Sequence, residues 1–512
     1  MKHFDFDIIC SNVWNKVLKY RYEILSSLFF GILAYGFYFT NMVYNYDSMQ
    51  RIYRGVWVWE YRLGRWGIDL IRSLSPHPTM PWYDGMVSLM LYALGTCLIS
   101  NIFHFRNKYT RILLAAVIIS YPAICVEYLF IFQAIYYSLA FVLAAASVWL
   151  WVNSKSAWWY VASVLCIVMS LGLYQALLAI ASSLMVVCLM KDLLSGSLSA
   201  GKIVRKGLVG LGILSAGVVL YFLITKMFFL LKGSGFADYA KAAMDDEIPF
   251  CDRLLNPYVR MVNDLLFTDR WRPYVIVSRW SSVFHVVALL CCGFALTMRM
   301  RGRLVADRLM LLLLLVMYPL SVNFMWSVSA LERATKPLVQ VGFVSIYVFM
   351  AVVLENIDKR EWVSGVVKTA LCCIVLINVR FSNVTAMRTK LLFDHTFSFY
   401  TTLVTQIKSS GMLDAQSKLA ICGETDQFLF DMKRNYPNYT GYAGKGVNNY
   451  SKQSFIKFYL GFDIPQVSLE EKMELVNTEE FQAMPIYPYE GSIRKFGDVI
   501  VVKFSHKVKD IK

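Results

Sequence analysis

The sequence predicts an α-helical polytopic membrane protein with about eleven transmembrane helices and a small α+β domain at the C-terminal end. Three observations carry this. Of 512 residues, 57% are hydrophobic and only 17% charged, whereas soluble domains carry about a quarter charged residues. Apolar runs of roughly 20 residues, the length a helix needs to cross the hydrocarbon layer, recur as far as about residue 379. Beyond about residue 391 the runs stop, and short helix and strand patterns replace them.

Residues 1–21 form a polar lead in which Lys16, Lys19 and Arg21 mark the cytoplasmic side. The charged start and the lack of a small-residue cleavage site predict no cleavable signal peptide. The first span covers about 23–44, and the stretch Tyr44 to Arg72 follows it directly, before Pro76, Pro78 and Pro81. The second (about 84–103) returns to Arg106, Lys108 and Arg111. The third (about 111–125) breaks at Tyr121-Pro122, because proline cannot continue a helix cleanly. The fourth (about 132–152) ends at Lys155, and the fifth and sixth (about 157–173 and 175–191) meet at Tyr174-Gln175 with almost no loop. Lys191, Lys202, Arg205 and Lys206 follow. The seventh (about 207–230) opens into a polar loop, 232–278, that contains Asp245-Asp246-Glu247. The eighth (about 280–298) ends in Arg299, Arg301 and Arg303, and the ninth (about 308–325) leads to a hairpin with Glu332, Arg333 and Lys336. The tenth (about 338–354) precedes Asp358-Lys359-Arg360, and the eleventh (about 363–379) leads into the tail.

In the tail, His395 to Ser410 has the spacing of an amphipathic helix closed by Gly411. Leu419 to Cys422 and Asp498 to Phe504 read as buried strands, and Ser468 to Glu471 is a capping box. The division is therefore a transmembrane domain, 1–390, and a soluble domain, 391–512. Eleven crossings place the N-terminus inside and the tail outside. Short basic clusters then fall in the cytoplasm, as the distribution of Lys and Arg requires. The outer loops 45–82, 232–278 and 326–337 are exceptions, rich in both arginine and acid. The net charge of +16 belongs to these span ends and loops and implies lipid headgroups as partners, not nucleic acid. The eleven cysteines include no CxxC or zinc spacing, and most sit inside apolar runs as small hydrophobes.

Chemistry concentrates in Tyr44 to Arg72, where Asp47, Glu60 and Asp69 stand among Arg51, Arg54, Arg62, Arg65, Arg72 and three tryptophans. On a continuous surface helix, Asp47, Arg51 and Arg54 share one face, as do Arg62, Arg65, Asp69 and Arg72. Trp57, Trp59, Trp66, Ile68 and Ile71 then turn to lipid. Asp47 is placed to accept a proton while Arg51 holds a phosphate one turn away, and Asp47-Ser48-Met49-Gln50 also reads as a helix cap. Arg65, between Gly64 and Trp66, is the arginine expected to bind a ligand. In the outer hairpin a local ion pair explains Glu332 and Arg333, while Lys336 has no evident partner and is a second phosphate candidate, with Arg333 beside it. Asp245-Asp246-Glu247 offers oxygen ligands for a divalent cation, but a solvated acidic loop explains it better, so no metal is expected. Glu127 lies near the Tyr121-Pro122 break, either at the outer surface or buried at depth. The chain has no Walker, GxGxxG or HExxH pattern.

The order Tyr46-Asp47-Ser48, Arg51, Gly64-Arg65-Trp66 after the first span, then Ser170-Leu171-Gly172-Leu173-Tyr174-Gln175 at a span junction and a soluble tail, resembles the bacterial O-antigen glucosyltransferase (Gtr type II) family. The likeness runs through about residue 425. It implies a GT-C-like architecture in the bacterial inner membrane, with a periplasmic C-terminal domain. It also implies transfer of a glucosyl group from a polyprenyl-phosphate donor, a substrate and not a cofactor, to lipopolysaccharide O-antigen or a similar surface glycan. In such enzymes an acid of the first outer loop is the base, which maps to Asp47. The donor-phosphate set is read as Arg51, Arg65, Arg333 and Lys336, and the substrate-contact set as Glu60, Trp66, Asp69, Tyr174 and Gln175. An O-antigen polymerase or ligase would use similar donors, and a lipid-sugar flippase would want charges inside its spans and paired repeats.

Overall fold

The computed structural model describes residues 6–41, 43, 45–51, 58–74, 78–238, 240–241, 249–266, 279–328, 337–356, 361–423, 446–448 and 451–505. They form two compact units. One comprises the described residues of 1–40 and 56–384, the other those of 41–55 and from Thr385 onward.

In the first unit, α1 (Phe6–Lys19) precedes α2 (Arg21–Thr40), the first long apolar helix. The stretch Tyr44 to Arg72, read as a surface segment with the faces of one continuous helix, is instead several short helices among the described residues. α3 (Tyr46–Arg51) belongs to the second unit, and α4 (Val58–Arg62) and α5 (Trp66–Leu74) belong to the first. The turn between α4 and α5 puts Gly64 at φ +78, a conformation that ends a helix and that a side chain resists. Arg62, Arg65 and Asp69 therefore share no helix. Trp66 and Ile68, expected toward lipid, are buried at 3% and 1% exposure, while Trp59 is exposed.

α6 (Pro81–Phe103) packs on α2 and on α9 (Ala134–Val152). α7 (Lys108–Ile119) and α8 (Pro122–Leu129) are one apolar stretch bent by 42°, at the predicted Tyr121-Pro122 break. Near the start of α2, Glu23 is fully buried and takes two bonds from Arg111 of α7, at 2.5 and 2.6 Å, and one from the Ser100 hydroxyl of α6. A buried ion pair survives only with such complete bonding. Glu127 is buried too, and accepts from the Tyr92 hydroxyl.

α10 (Ala157–Leu173) and α11 (Leu178–Ser195) meet through an extended Tyr174 and a 3-10 turn at Gln175–Leu177. α12 (Ala200–Lys232) follows, then α13 (Phe250–Leu266), an amphipathic helix inside the expected polar loop. α14 (Arg279–Met300), α15 (Val305–Val322), the short α16 (Met325–Val328), a 3-10 turn at Pro337–Phe343 and α17 (Val344–Glu355) complete the series before α18.

Among the described residues nine helices are long and apolar enough to cross a membrane, or ten if the bent pair is one crossing. The expected count of eleven needs Ala157–Leu173 as well, which has 17 residues.

α18 (Glu361–Ser409) is a continuous 49-residue helix. Its first half is the last apolar stretch and its second half enters the second unit. The amphipathic helix expected at His395 is therefore not separate; it continues the last span, and Gly411 at φ +71 follows its end. The rest of the second unit contains α19 (Lys452–Tyr459), α20 (Leu469–Val476), α21 (Glu479–Ala483) and a three-stranded sheet. β1 (Lys418–Cys422) pairs parallel with β3 (Val499–Lys503), and β2 (Ile493–Phe496) pairs antiparallel with β3. Alternate residues Ala420, Cys422, Val499 and Val501 meet Val476, Phe481 and Met484 in its core. The predicted Ser468–Glu471 capping box is present in both directions.

Candidate active site

The α4–α5 turn builds the site in the first unit. Arg65 donates its backbone N–H to the Glu60 carbonyl (3.0 Å) and Gly64 donates to Tyr61 (2.9 Å), the paired bonds that close a helix on a left-handed glycine. Two carbonyls are left over at the turn, and side chains from other helices satisfy them. The Gln175 amide donates to Leu63 O (2.8 Å), and the Tyr221 hydroxyl of α12 donates to Gly64 O (3.1 Å). Gln175 also donates to the Tyr221 oxygen (2.8 Å). Tyr174-Gln175 is thus more than a tight junction: it clamps the turn that carries Arg65.

The Arg65 guanidinium lies 4.9 Å from the centre of the Tyr174 ring, and its Nη1 is 3.7 Å from Glu60 Oε2. That gap is longer than a charge-assisted hydrogen bond of about 2.7–2.9 Å. Glu60 is 2% exposed, and its other oxygen accepts from Gln133 Nε2 at 2.5 Å. The Tyr137 hydroxyl holds the far end of Gln133. Burial opposes the Arg65 charge, but Tyr137, Glu60, Tyr174 and Tyr221 outweigh it, and the guanidinium pKa stands above its ordinary value. Arg65 Nε is buried without a hydrogen-bond partner among the described residues.

Trp66 stacks on Phe228, centroids 5.5 Å apart, and a Cβ added at Gly172 would come within 2.7 Å of its ring. Asp69 is paired with Lys232 Nζ at 3.2 Å, and Arg72 lies over Tyr136.

Of the residues expected in the site, Glu60, Arg65, Tyr174 and Gln175 are brought together, with Trp66 and Asp69 on the next helix. Gln133, Tyr137, Tyr221 and Lys232 were missed. Gln133 had a signal, a lone amide in the apolar run Ile131 to Tyr137, whereas Tyr221 inside an apolar helix had none. Asp47 and Arg51 belong to the second unit. Asp47 is half-buried in the first turn of α3. It is not the cap: Asn45 Oδ1 accepts from both the backbone N–H and the hydroxyl of Ser48, each at 2.9 Å. Arg51 lies in α3, and its side chain, Arg333, Lys336 and Asp245-Asp246-Glu247 are outside the described residues. Among the described residues no three His, Cys, Asp or Glu side chains form a metal-holding group.

The family model described as Glucosyl transferase GtrII matches residues 36–355, more than half of the chain and all of this site. The chain belongs to the GtrII glucosyl transferase family. No curated protein and no solved structure matches it. GtrII membership, with the apolar helices, makes the chain a membrane glycosyltransferase that takes a sugar donor and a glycan acceptor. The clamped Arg65 guanidinium, with its buried Nε unbonded among the described residues, lies within the residues the GtrII model matches.

Proposed function

We propose that the protein moves a glucosyl group from a polyprenyl-phosphate donor to lipopolysaccharide O-antigen, or a similar surface glycan, on the periplasmic face of the inner membrane, with inversion at the anomeric carbon. The observation that carries this is Arg65, fixed on the Tyr174 ring with an Nε–H that no described residue accepts. A buried unpaired donor costs about 1–3 kcal/mol, and a phosphate oxygen removes that cost.

In the reaction the acceptor hydroxyl oxygen attacks the anomeric carbon as the bond from that carbon to the phosphate oxygen breaks. The hydroxyl proton passes to the Asp47 carboxylate, and the bonding electrons leave with the phosphate. Arg65 stabilises the negative charge that grows there, in a site where the cation needs no reorganisation. Arg51, Arg333 and Lys336 add cations for the same phosphate. Glu60, held by Gln133, keeps Arg65 in place, and Trp66, Asp69, Tyr174 and Gln175 complete the substrate surface. No metal or cofactor enters this scheme.

The test is transfer from a synthetic polyprenyl-phosphate glucose by purified protein in nanodiscs. Arg65→Ala should raise the donor KM and lower kcat/KM by about 10²-fold, the scale of about 3 kcal/mol for a lost charged contact. An unchanged donor KM would remove Arg65 from the phosphate site.

A further inference from the structure

The residues matched to the family end at Glu355, yet α3, which carries Asp47, belongs to the same compact unit as the far end of the chain. Within that unit α3 packs against α19. α3 cannot hold itself. It has six residues, far below the length at which a helix stands alone in water, and the Asn45 side chain caps it. α19 is firmly seated by comparison. Phe455 is fully buried, with its ring against Phe393 and Tyr400 of α18 and stacked on Tyr459.

We propose that the C-terminal unit is the platform that positions Asp47. α18 anchors α19 through Phe455, α19 seats α3, and α3 sets where the carboxylate stands. This rests on the reading of Asp47 as proton acceptor. Asp47 is then the catalytic residue and Phe455 a positioning residue. A general base works only within hydrogen-bond reach of its proton, and a displacement of about 1 Å far from the chemistry can cost about 10²-fold in rate. The unit's role is thus chiefly to set kcat, with a smaller part in donor binding through Arg51 of the same helix.

The experiment uses the full-length protein in nanodiscs with Phe455→Ala. Hydrogen exchange of amides 46–51 should quicken while that of 58–74 stays as in the unmutated protein. With the polyprenyl-phosphate glucose donor, kcat should fall about 10²-fold, and the donor KM should rise by much less than that, because Arg51 loosens with α3 while the Arg65 clamp stays in place. Phe455→Leu, which keeps most of the packing volume, should recover most of both. If Phe455→Ala does not fold, Phe455→Leu is read the same way, with smaller shifts in the same direction. Unchanged exchange at 46–51 overturns the platform, and so does loosened exchange with unchanged kcat. Asp47→Asn at the normal rate instead overturns the proton-acceptor reading, whatever Phe455 does, so the two failures are distinguishable.

Discussion

Gly64 shows how much one residue decides. Its φ of +78 costs another residue roughly 1–2 kcal/mol, and a Cβ there would lie 2.4 Å from the Tyr221 hydroxyl. That hydroxyl cannot swing aside freely, because it donates to Gly64 O and accepts from Gln175. Gly64→Ala is therefore expected to push Tyr221 off the turn and release Arg65. The expected outcome is a protein that inserts normally, with a donor KM raised about 10-fold for a loss of about 1.4 kcal/mol. A donor titration checks it, and an unchanged KM would show that the clamp does not set the cation. The Gly64-Arg65-Trp66 triplet was legible in the sequence as a place where ligand chemistry concentrates. Tyr174 and Gln175 were legible with it, but Gln133 and Tyr221 were not, since they reach it from distant parts of the chain and hydropathy reports nothing about that convergence.

Among elements, the same distinction recurs. The apolar runs identify the spanning helices because burial in hydrocarbon demands length and composition that no other element shows. The helical period of Tyr44 to Arg72 misled because periodicity does not register a left-handed glycine. α18 misled in the opposite way, since its apolar half and its amphipathic half have different patterns but one continuous backbone. β2 escaped notice because only four residues form it. In the sheet, Lys503 is fully buried, and its ammonium donates to Phe481 O (2.8 Å), Gln482 O and Met484 O (both 2.9 Å). It closes the C-terminal end of α21, where unpaired carbonyls carry partial negative charge. Lys503→Met would keep the volume and leave three carbonyls without that donor. The expected loss is about 1.5–3 kcal/mol of stability in the C-terminal unit. Urea titration of cleavage within the tail measures it, and an unshifted midpoint would mean water replaces the ammonium at no cost.

For the molecule as a whole, the number of crossings decides where the tail lies. Nine and eleven crossings place the chain ends on opposite sides, and ten places them on the same side. The stretches that separate nine from eleven are the bent α7–α8 pair and Ala157–Leu173. A helix of 17 residues is about 25 Å long, at the lower limit for a crossing. A reporter active only outside the cytoplasm, fused after Lys512, is expected to work. A silent but stable full-length fusion would remove one later crossing and put the tail on the cytoplasmic side, which the packing of α3, just after the first apolar helix, on α19 would contradict.

The central claim is that a fixed acid and a fixed cation share one glucosyl transfer, and the measurement closest to it is single-turnover transfer by Asp47→Asn with donor retention read in the same nanodisc preparation. Asn45, not Asp47, caps α3, so the substitution should leave the fold and donor binding as they are. Loss of a general base typically costs about 10²–10⁴-fold, and the predicted result is bound donor with transfer slowed by that factor. Transfer at close to the unmutated rate would contradict the account, and Glu60 or Asp69 would then be the acid to test.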